Sequence, residues 1–301
     1  MMKVGFIGTG DMGNPMAMNT IKAGYDVTVN TRRRFRAENL IEAGARWAET
    51  ARELGEQCEV VFTALPGPKQ FEEVLMDPEN GLLVSLKPGS AIFDTTTNSP
   101  SVVRNMAEVC QKQGAHLLDS PISGGNMGAQ AGTLTFMVGG EKAVFDKYLP
   151  VLQAMGKNLF HLGEVGKGSM AKLVTQYMGY ANFVTAVEAM ITAAKAGLDL
   201  ATVYKIVPVS AGAFRAYEPF FRTVFRREFG TEEAGGVDMI AKDLMLGNEL
   251  AENVGAPHRM GQYAYDVFKR AQDMGLGGYL LMAAAQALEA EAGVELKADL
   301  E

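Results

Sequence analysis

Val4-Gly5-Phe6-Ile7-Gly8-Thr9-Gly10-Asp11-Met12-Gly13 is an apolar strand running straight into a Gly-x-Gly-x-x-Gly turn. Gly8 permits a tight turn and Gly10 lets the backbone approach a pyrophosphate. Gly13 allows the next helix to pack closely on the strand. That helix is expected from Asp11 to Lys22, stopped by Ala23-Gly24, and its positive N-terminus faces the phosphates. Thr9, Asp11 and Met12 complete the turn. A lone pattern of this kind fits any glycine-rich turn. The strand before it and the helix after it point to a dinucleotide site.

Outward from this turn, strands and helices alternate. Strands are expected at Val27-Val29, Glu59-Thr63, Ser90-Phe93, His116-Leu118, Leu134-Val138 and Asn158-His161. Helices are expected at Phe35-Ala43, Lys69-Met76, Pro100-Gln113 and Glu141-Met155. Such alternation implies parallel crossovers and a doubly wound α/β sheet of the Rossmann type. After Gly168 the strand signals stop. Long stretches with helical spacing follow, punctuated by Gly197, Pro208, Gly212, Gly235-Gly236 and Gly255-Ala256-Pro257. The expected organisation is a nucleotide-binding domain over 1–162 and an all-helical domain over 163–301, joined by a long helix starting near Lys167.

With 301 residues, 48% apolar and 21% charged, the chain can bury a sizeable core. Its net charge of -7 argues against nucleic acid as a partner. The run Arg32-Arg33-Arg34-Phe35-Arg36 is a local exception that reads as a solvated loop or helix start. Cys58 and Cys110 form no disulfide framework, and His116, His161 and His258 are too scattered for a metal site, so no metal is expected. Glycines interrupt the N-terminal apolar stretch, so no signal peptide is expected. The most apolar region, Met170 to Ala194, carries Lys172, Gln176, Asn182 and Glu188 and reads as a buried helix, not a membrane span. No membrane association and a cytoplasmic location are expected.

Four constellations carry chemistry. At Asn30, where the second strand ends, an acid would bind the adenosine ribose and favour NAD. Asn30 removes that charge, and Thr31 and Arg32 add donors and a cation suited to a 2′-phosphate. NADP is expected over NAD. The stretch Asp119-Ser-Pro-Ile-Ser123-Gly124-Gly125-Asn126 follows the fifth expected strand, where open α/β sheets bind ligands. It reads either as a flexible loop or as an anion nest built on the amides around Ser123-Gly124-Gly125. In Gly166-x-Gly168-x-x-x-Lys172, the lysine lies four residues before Gln176 in apolar surroundings, which suits a salt-bridge partner or a catalyst. Lys242-Asp243 opens a later helix.

Together, and in this order, the four patterns resemble the β-hydroxyacid dehydrogenase family, which includes 3-hydroxyisobutyrate dehydrogenases and semialdehyde reductases. The resemblance runs from Val4 to about Gly255. It implies hydride transfer between NADP(H), or NAD(H), and a small 3-hydroxyacid or its semialdehyde. By the same resemblance Ser123, Gly124 and Gly125 hold the substrate carboxylate and Lys172 is the general acid/base. Leu65, Pro66 and Thr96 line the nicotinamide and its ribose. Lys242 stands near the cofactor, Asp243 supports that corner, and the family needs no metal. Relatives form dimers or tetramers, so a homo-oligomer is expected, with Gln262–Glu301 shaping its contacts.

The chain departs from the family pattern in three places. Thr175-Gln176 stands where relatives usually carry Asn-Asn or Asn-Gln. Gly235 stands where they often carry phenylalanine, and Asn30-Thr31-Arg32 replaces Asn-Arg-Thr. Phe214 lies where relatives contact the substrate side chain, and equally suits helix packing. Two other functions compete: imine reduction on the same fold, against which Lys172 speaks, and a non-catalytic NADPH-binding sensor or scaffold.

Overall fold

The computed structural model describes residues 2–231 and 236–300. The chain divides into two compact units, Met1–Lys172 and Leu173–Glu301. The sequence division at Leu162-Gly163 falls before this point, because the first turns of the helix Lys167–Lys195 are hydrogen-bonded to Asp119 and Ile122 of the first unit.

Among the described residues, nine strands lie in the first unit: β1 (Lys3–Ile7), β2 (Asp26–Asn30), β3 (Arg46–Trp47), β4 (Val60–Thr63), β5 (Ala91–Asp94), β6 (His116–Asp119), β7 (Ile122–Ser123), β8 (Leu134–Val138) and β9 (Gly156–His161). β1 to β6 form one parallel sheet in the order β3-β2-β1-β4-β5-β6. This is the expected doubly wound arrangement, with the order reversing beside β1. A crevice at the carboxyl ends of β1 and β4 follows from that reversal. Central parallel strands are buried on both faces, which is why β1, β4 and β5 read as continuous apolar runs. Phe6, Phe62 and Phe93 share one register row and stack at centroid distances of 5.2 and 5.3 Å, with Tyr148 edge-on to Phe93 at 5.9 Å.

The strands expected at Leu134-Val138 and Asn158-His161 exist, but they do not extend the large sheet. They are β8 and β9 of a separate three-stranded sheet, ordered β7-β8-β9, with β7 antiparallel and β9 parallel to β8. The Asp119–Thr133 segment contains β7 and the helix Gly125–Gln130, so it is not a structureless loop. The expected helix Phe35-Ala43 splits into a 3₁₀ turn, Arg34–Ala37, and a short helix, Glu38–Glu42.

The second unit is helical, as expected, with isolated bridges at Thr231–Tyr279 and Gly236–Leu280. Its core gathers Phe183, Val187, Phe221, Leu244 and Phe268, all fully buried. The helix Arg259–Asp273 packs closely because Gly261 has no side chain: its N–H donates to Tyr177 Oη at 2.8 Å, and a Cβ there would lie 2.0 Å from Tyr177 Cε2. Arg227 pairs with Glu289 at 2.6 Å and with Glu295 at 3.1 Å, and Leu296 N donates to Glu289 at 2.7 Å, so the C-terminal segment is tied to this core. Among the described residues, no helix is long and apolar enough to cross a membrane.

Candidate active site

The glycine turn leaves β1 at Gly8, whose N–H donates to Asn30 O at 2.9 Å. Its three glycines serve different ends. Gly8 has φ +91°, and a Cβ there would lie 2.3 Å from Ala64 O; a Cβ on Gly13 would lie 1.9 Å from Gly8 O. Both are fixed by backbone packing. A Cβ on Gly10 would meet only Arg36 Nη1, at 3.7 Å. Gly10 is therefore not held by backbone packing; it meets only the tip of a flexible side chain at ordinary contact distance, as a position where a pyrophosphate approaches requires. The first helical bond runs from Asn14 N to Gly10 O, so the amides of the turn lie at the electropositive end of the helix Gly13–Lys22. Thr9 Oγ1 is buried there without a partner. A cleft of about 600 Å³ opens here, with Thr9, Gly10, Asp11, Arg36 and Asn126 in its walls. A Gly10 free of backbone clash in the cleft wall and an orphaned hydroxyl beside it fit a bound dinucleotide.

At the end of β2, Asn30 Nδ2 donates to Ala48 O at 2.9 Å. Thr31 is half-buried, and Arg32, Arg33 and Arg34 are exposed. Arg34 lies over the Trp47 ring at 5.2 Å and 3.6 Å from Glu49. Arg36 Nη1 comes within 3.7 Å of Asp11 Oδ1, which brings a guanidinium to the glycine turn. Sequence reading left Arg36 among a solvated run; its position five residues beyond Thr31, on the turn after β2, is the signal that was there to use.

Leu65 and Thr96, from the loops after β4 and β5, meet directly: Leu65 N donates to Thr96 Oγ1 at 3.1 Å. Below them Asp94 accepts from Thr63 Oγ1 at 2.8 Å, Thr96 N at 3.1 Å and Asn98 Nδ2 at 3.0 Å. Burial pushes the Asp94 carboxyl up to about 6, against the pull of these hydrogen bonds. Sequence reading passed over Asp94, although an acid closing an apolar strand is itself a signal.

The glycine-rich segment after β6 turns through Gly124 (φ +133°) and Gly125 (φ +61°), conformations that strain any side chain. Ser123 ends β7 opposite Thr135 and is exposed. Lys172 is 8% exposed, and its ammonium donates to Ile122 O at 2.8 Å. The lysine tip is therefore held one residue from Ser123. Asp119, fully buried, accepts from Gly166 N at 2.7 Å and Ser169 N at 2.6 Å at the start of the lysine's helix. Burial raises its pKa. The glycines of Gly166-x-Gly168 have local causes. Gly166 has φ +92°, and a Cβ on Gly168 would lie 2.3 Å from Met137 O and 2.6 Å from Asp119 O.

In the second unit, Gln176 Nε2 donates to Asp243 Oδ2 at 2.7 Å and to Tyr180 Oη at 2.8 Å. Lys242 Nζ lies 3.1 Å from Asp243 Oδ1. Desolvation, with the Asp243 charge, pushes the Tyr180 hydroxyl well above the ordinary phenol range. Gln176, Asp243 and Lys242 thus form one polar cluster, to which the structure adds Tyr180. Thr175 is exposed. Phe214 stands in an aromatic group with Tyr217 (5.8 Å) and Phe220 (6.5 Å). Gly235 lies outside the described residues. The histidines have separate local partners: His116 with Glu141, His161 with Gly140 O and His258 with Ala256 O.

Comparison with known proteins gives a consistent picture. The family model described as the NAD binding domain of 6-phosphogluconate dehydrogenase matches residues 3–163. The model described as NAD-binding of NADP-dependent 3-hydroxyisobutyrate dehydrogenase matches residues 166–289. The chain is 34% identical to 2-(hydroxymethyl)glutarate dehydrogenase of Eubacterium barkeri, over 98% of this chain and 97% of that protein. It is also 34% identical to an NAD-dependent L-serine dehydrogenase of Pseudomonas aeruginosa, over 89% of this chain and 92% of the relative. The crystal structure of a 3-hydroxyisobutyrate dehydrogenase from Salmonella typhimurium superposes with a TM-score of 0.87 at 28% identity, covering 95% of this chain and 99% of the other. The likeness therefore continues well past Gly255, where the sequence motifs end.

Proposed function

From the premise that this chain belongs to the β-hydroxyacid dehydrogenase family, we propose that it interconverts a small 3-hydroxyacid and its semialdehyde with Lys172 as general acid/base. The class itself, an NAD(P)-dependent oxidoreductase acting on hydroxyacids, follows from the family. One observation carries the finer reading: the buried Lys172 ammonium is tethered to Ile122 O at 2.8 Å, next to the Ser123-Gly124-Gly125 turn.

In the reductive direction, Lys172 as ammonium donates to the substrate carbonyl oxygen and gives its proton to the forming alkoxide. In the oxidative direction the neutral amine takes the hydroxyl proton. Hydride exchange at the substrate carbon is the chemistry the bound nicotinamide dinucleotide supplies. Ser123 Oγ and the amides after it hold the substrate carboxylate, and the two left-handed glycines bring those amides together. The turn Gly8–Gly13 and Arg36 hold the pyrophosphate. Leu65, Pro66, Thr96 and Lys242 take the nicotinamide side.

Asn30, Thr31 and Arg32 favour NADP by charge, since a 2′-phosphate there meets no carboxylate from β2. Thr175, Gln176, Asp243 and Phe214 belong to the substrate side of the reading. A homo-oligomer is part of it as well; exposed apolar side chains of the helical unit such as Met178, Ile206 and Val209 support it.

A steady-state panel of short 3-hydroxyacids and semialdehydes, run with NADPH and with NADH, tests the reading. We expect turnover with at least one semialdehyde, a preference for NADPH, and a loss of about 10³-fold or more in kcat for Lys172→Ala with NADPH affinity retained. Wild-type turnover in that variant removes the assignment. NADPH binding without consumption across the panel leaves a sensor instead.

A further inference from the structure

We propose that Asp119 is a positioning residue that fixes Lys172 against the Ser123-Gly124-Gly125 turn, a role resting on the reading of Lys172 as the acid/base. A lysine has four rotatable methylenes and a compact charge, so its ammonium is placed only if its backbone and its acceptor are both placed. In this chain one short segment does both. Asp119 Oδ1 and Oδ2 accept from Gly166 N (2.7 Å) and Ser169 N (2.6 Å), fixing the first turn of the helix Lys167–Lys195. Three residues after Asp119, Ile122 O accepts from Lys172 Nζ at 2.8 Å. The next residue is Ser123.

The joint is rigid on every side. Gly139 N donates to Asp119 O at 2.8 Å. A Cβ on Gly139 would lie 2.5 Å from Asp119 Oδ1, and one on Gly168 would lie 2.6 Å from Asp119 O. The helix start is thus seated directly on the aspartate backbone, with no side chain between. The two amide bonds are charge-assisted and lie at the positive end of a 29-residue helix, where a carboxylate is best placed. A buried carboxylate is tolerated only with such partners, so the residue is committed to them. Through these bonds Asp119 sets the distance between the carboxylate turn and the lysine ammonium.

The test is Asp119→Asn, alone and combined with Lys172→Ala. Asparagine keeps the size but turns an N–H₂ toward a backbone N–H at one of the two contacts. We expect kcat to fall by about 100-fold, the cost of an ångström-scale misplacement, while substrate KM and the NADPH dissociation constant stay within about 3-fold. In the Lys172→Ala background the same change is expected to have no further effect on the residual rate, because the residue acts through the lysine. A damaged fold would lower both rates and weaken NADPH binding.

Asp119→Asn with near wild-type kcat, or with KM and NADPH affinity moving as far as kcat, overturns the proposal. So does a further loss in the double variant. If Asp119→Asn does not fold, Ser169→Pro removes one of the two donors in the first helical turn, where proline is tolerated, and is held to the same criteria. Lys172→Ala with wild-type turnover overturns the acid/base reading and this proposal together. An inactive Lys172→Ala beside a normal Asp119→Asn overturns the proposal alone.

Discussion

Asp94 closes β5 with its carboxyl out of water and three donors around it, and its pKa stands at about 6 where an unburied aspartate has 3.8. A raised carboxyl pKa favours the folded state below the unfolded value, and this contribution is lost as pH rises from about 4 through about 6. The loss amounts to about 3 kcal/mol at the scale of 1.36 kcal/mol per unit. Unfolding free energies by urea at pH 4 and pH 7 are expected to show it as a difference between wild type and Asp94→Asn. A parallel pH dependence in the two proteins refutes it. The glycine turn makes a second residue-level prediction. Gly13→Ala drives a Cβ into Gly8 O and is expected to cost about 1–3 kcal/mol or more in stability. Gly10→Ala meets no such clash; it is expected to melt near wild type and to weaken NADPH at least about tenfold, measured by fluorescence titration. Equal destabilisation by both would mean that Gly10 is structural too. Lys172, Ser123 and the glycine turn were legible because each sits in a short contiguous pattern. Asp119 and Arg36 were not, because their partners lie elsewhere in the chain: Asp119 reaches residues 166 and 169, and Arg36 reaches Asp11.

At the scale of elements, the helix Lys167–Lys195 depends on Gly168 to seat its first turn on β6 and β8. Gly168→Ala places a Cβ 2.3 Å from Met137 O, which cannot yield as a side chain tip does. The helix start is expected to shift, with kcat falling at least about tenfold and NADPH affinity little changed. Unchanged kcat would show that the lysine tolerates the shift. The large sheet was readable because buried parallel strands are continuous apolar runs between turn signals. β3, two residues long, carries too little sequence to show. The helices Ala51–Gln57 and Gly125–Gln130 were missed for different reasons: the first is short, and the second is rich in glycine, which local propensity counts against a helix. β8 and β9 were found, but not their place in a separate sheet. Strand pairing is decided by contacts distant in sequence, and periodicity alone carries no record of them.

For the whole molecule, each unit has its own core, and the glycine turn belongs to the first. NADPH at about 100 times its dissociation constant is expected to add about 2.7 kcal/mol to the stability of the unit it binds. Amide hydrogen exchange is expected to slow most in β1, β2 and β4, and least in the helix Arg259–Asp273. Uniform slowing would place cofactor contacts more widely than the turn suggests. The clean change from alternating elements to helices at Gly168 was legible because the hydrophobic period itself changes there. The compact first unit runs on to Lys172 because the first turns of one continuous helix are tethered to Asp119 and Ile122. A last consequence comes from β7, which carries Ser123 in the three-stranded sheet while the glycine turn hangs from the six-stranded one. On the proposed role of Ser123, the carboxylate cradle and the cofactor turn then hang from different sheets. Substitutions at Thr135 and Asn158, which keep β8 and β9 in line beside β7, are expected to change hydroxyacid preference more than NADPH affinity, read as kcat/KM across the panel against a fluorescence titration.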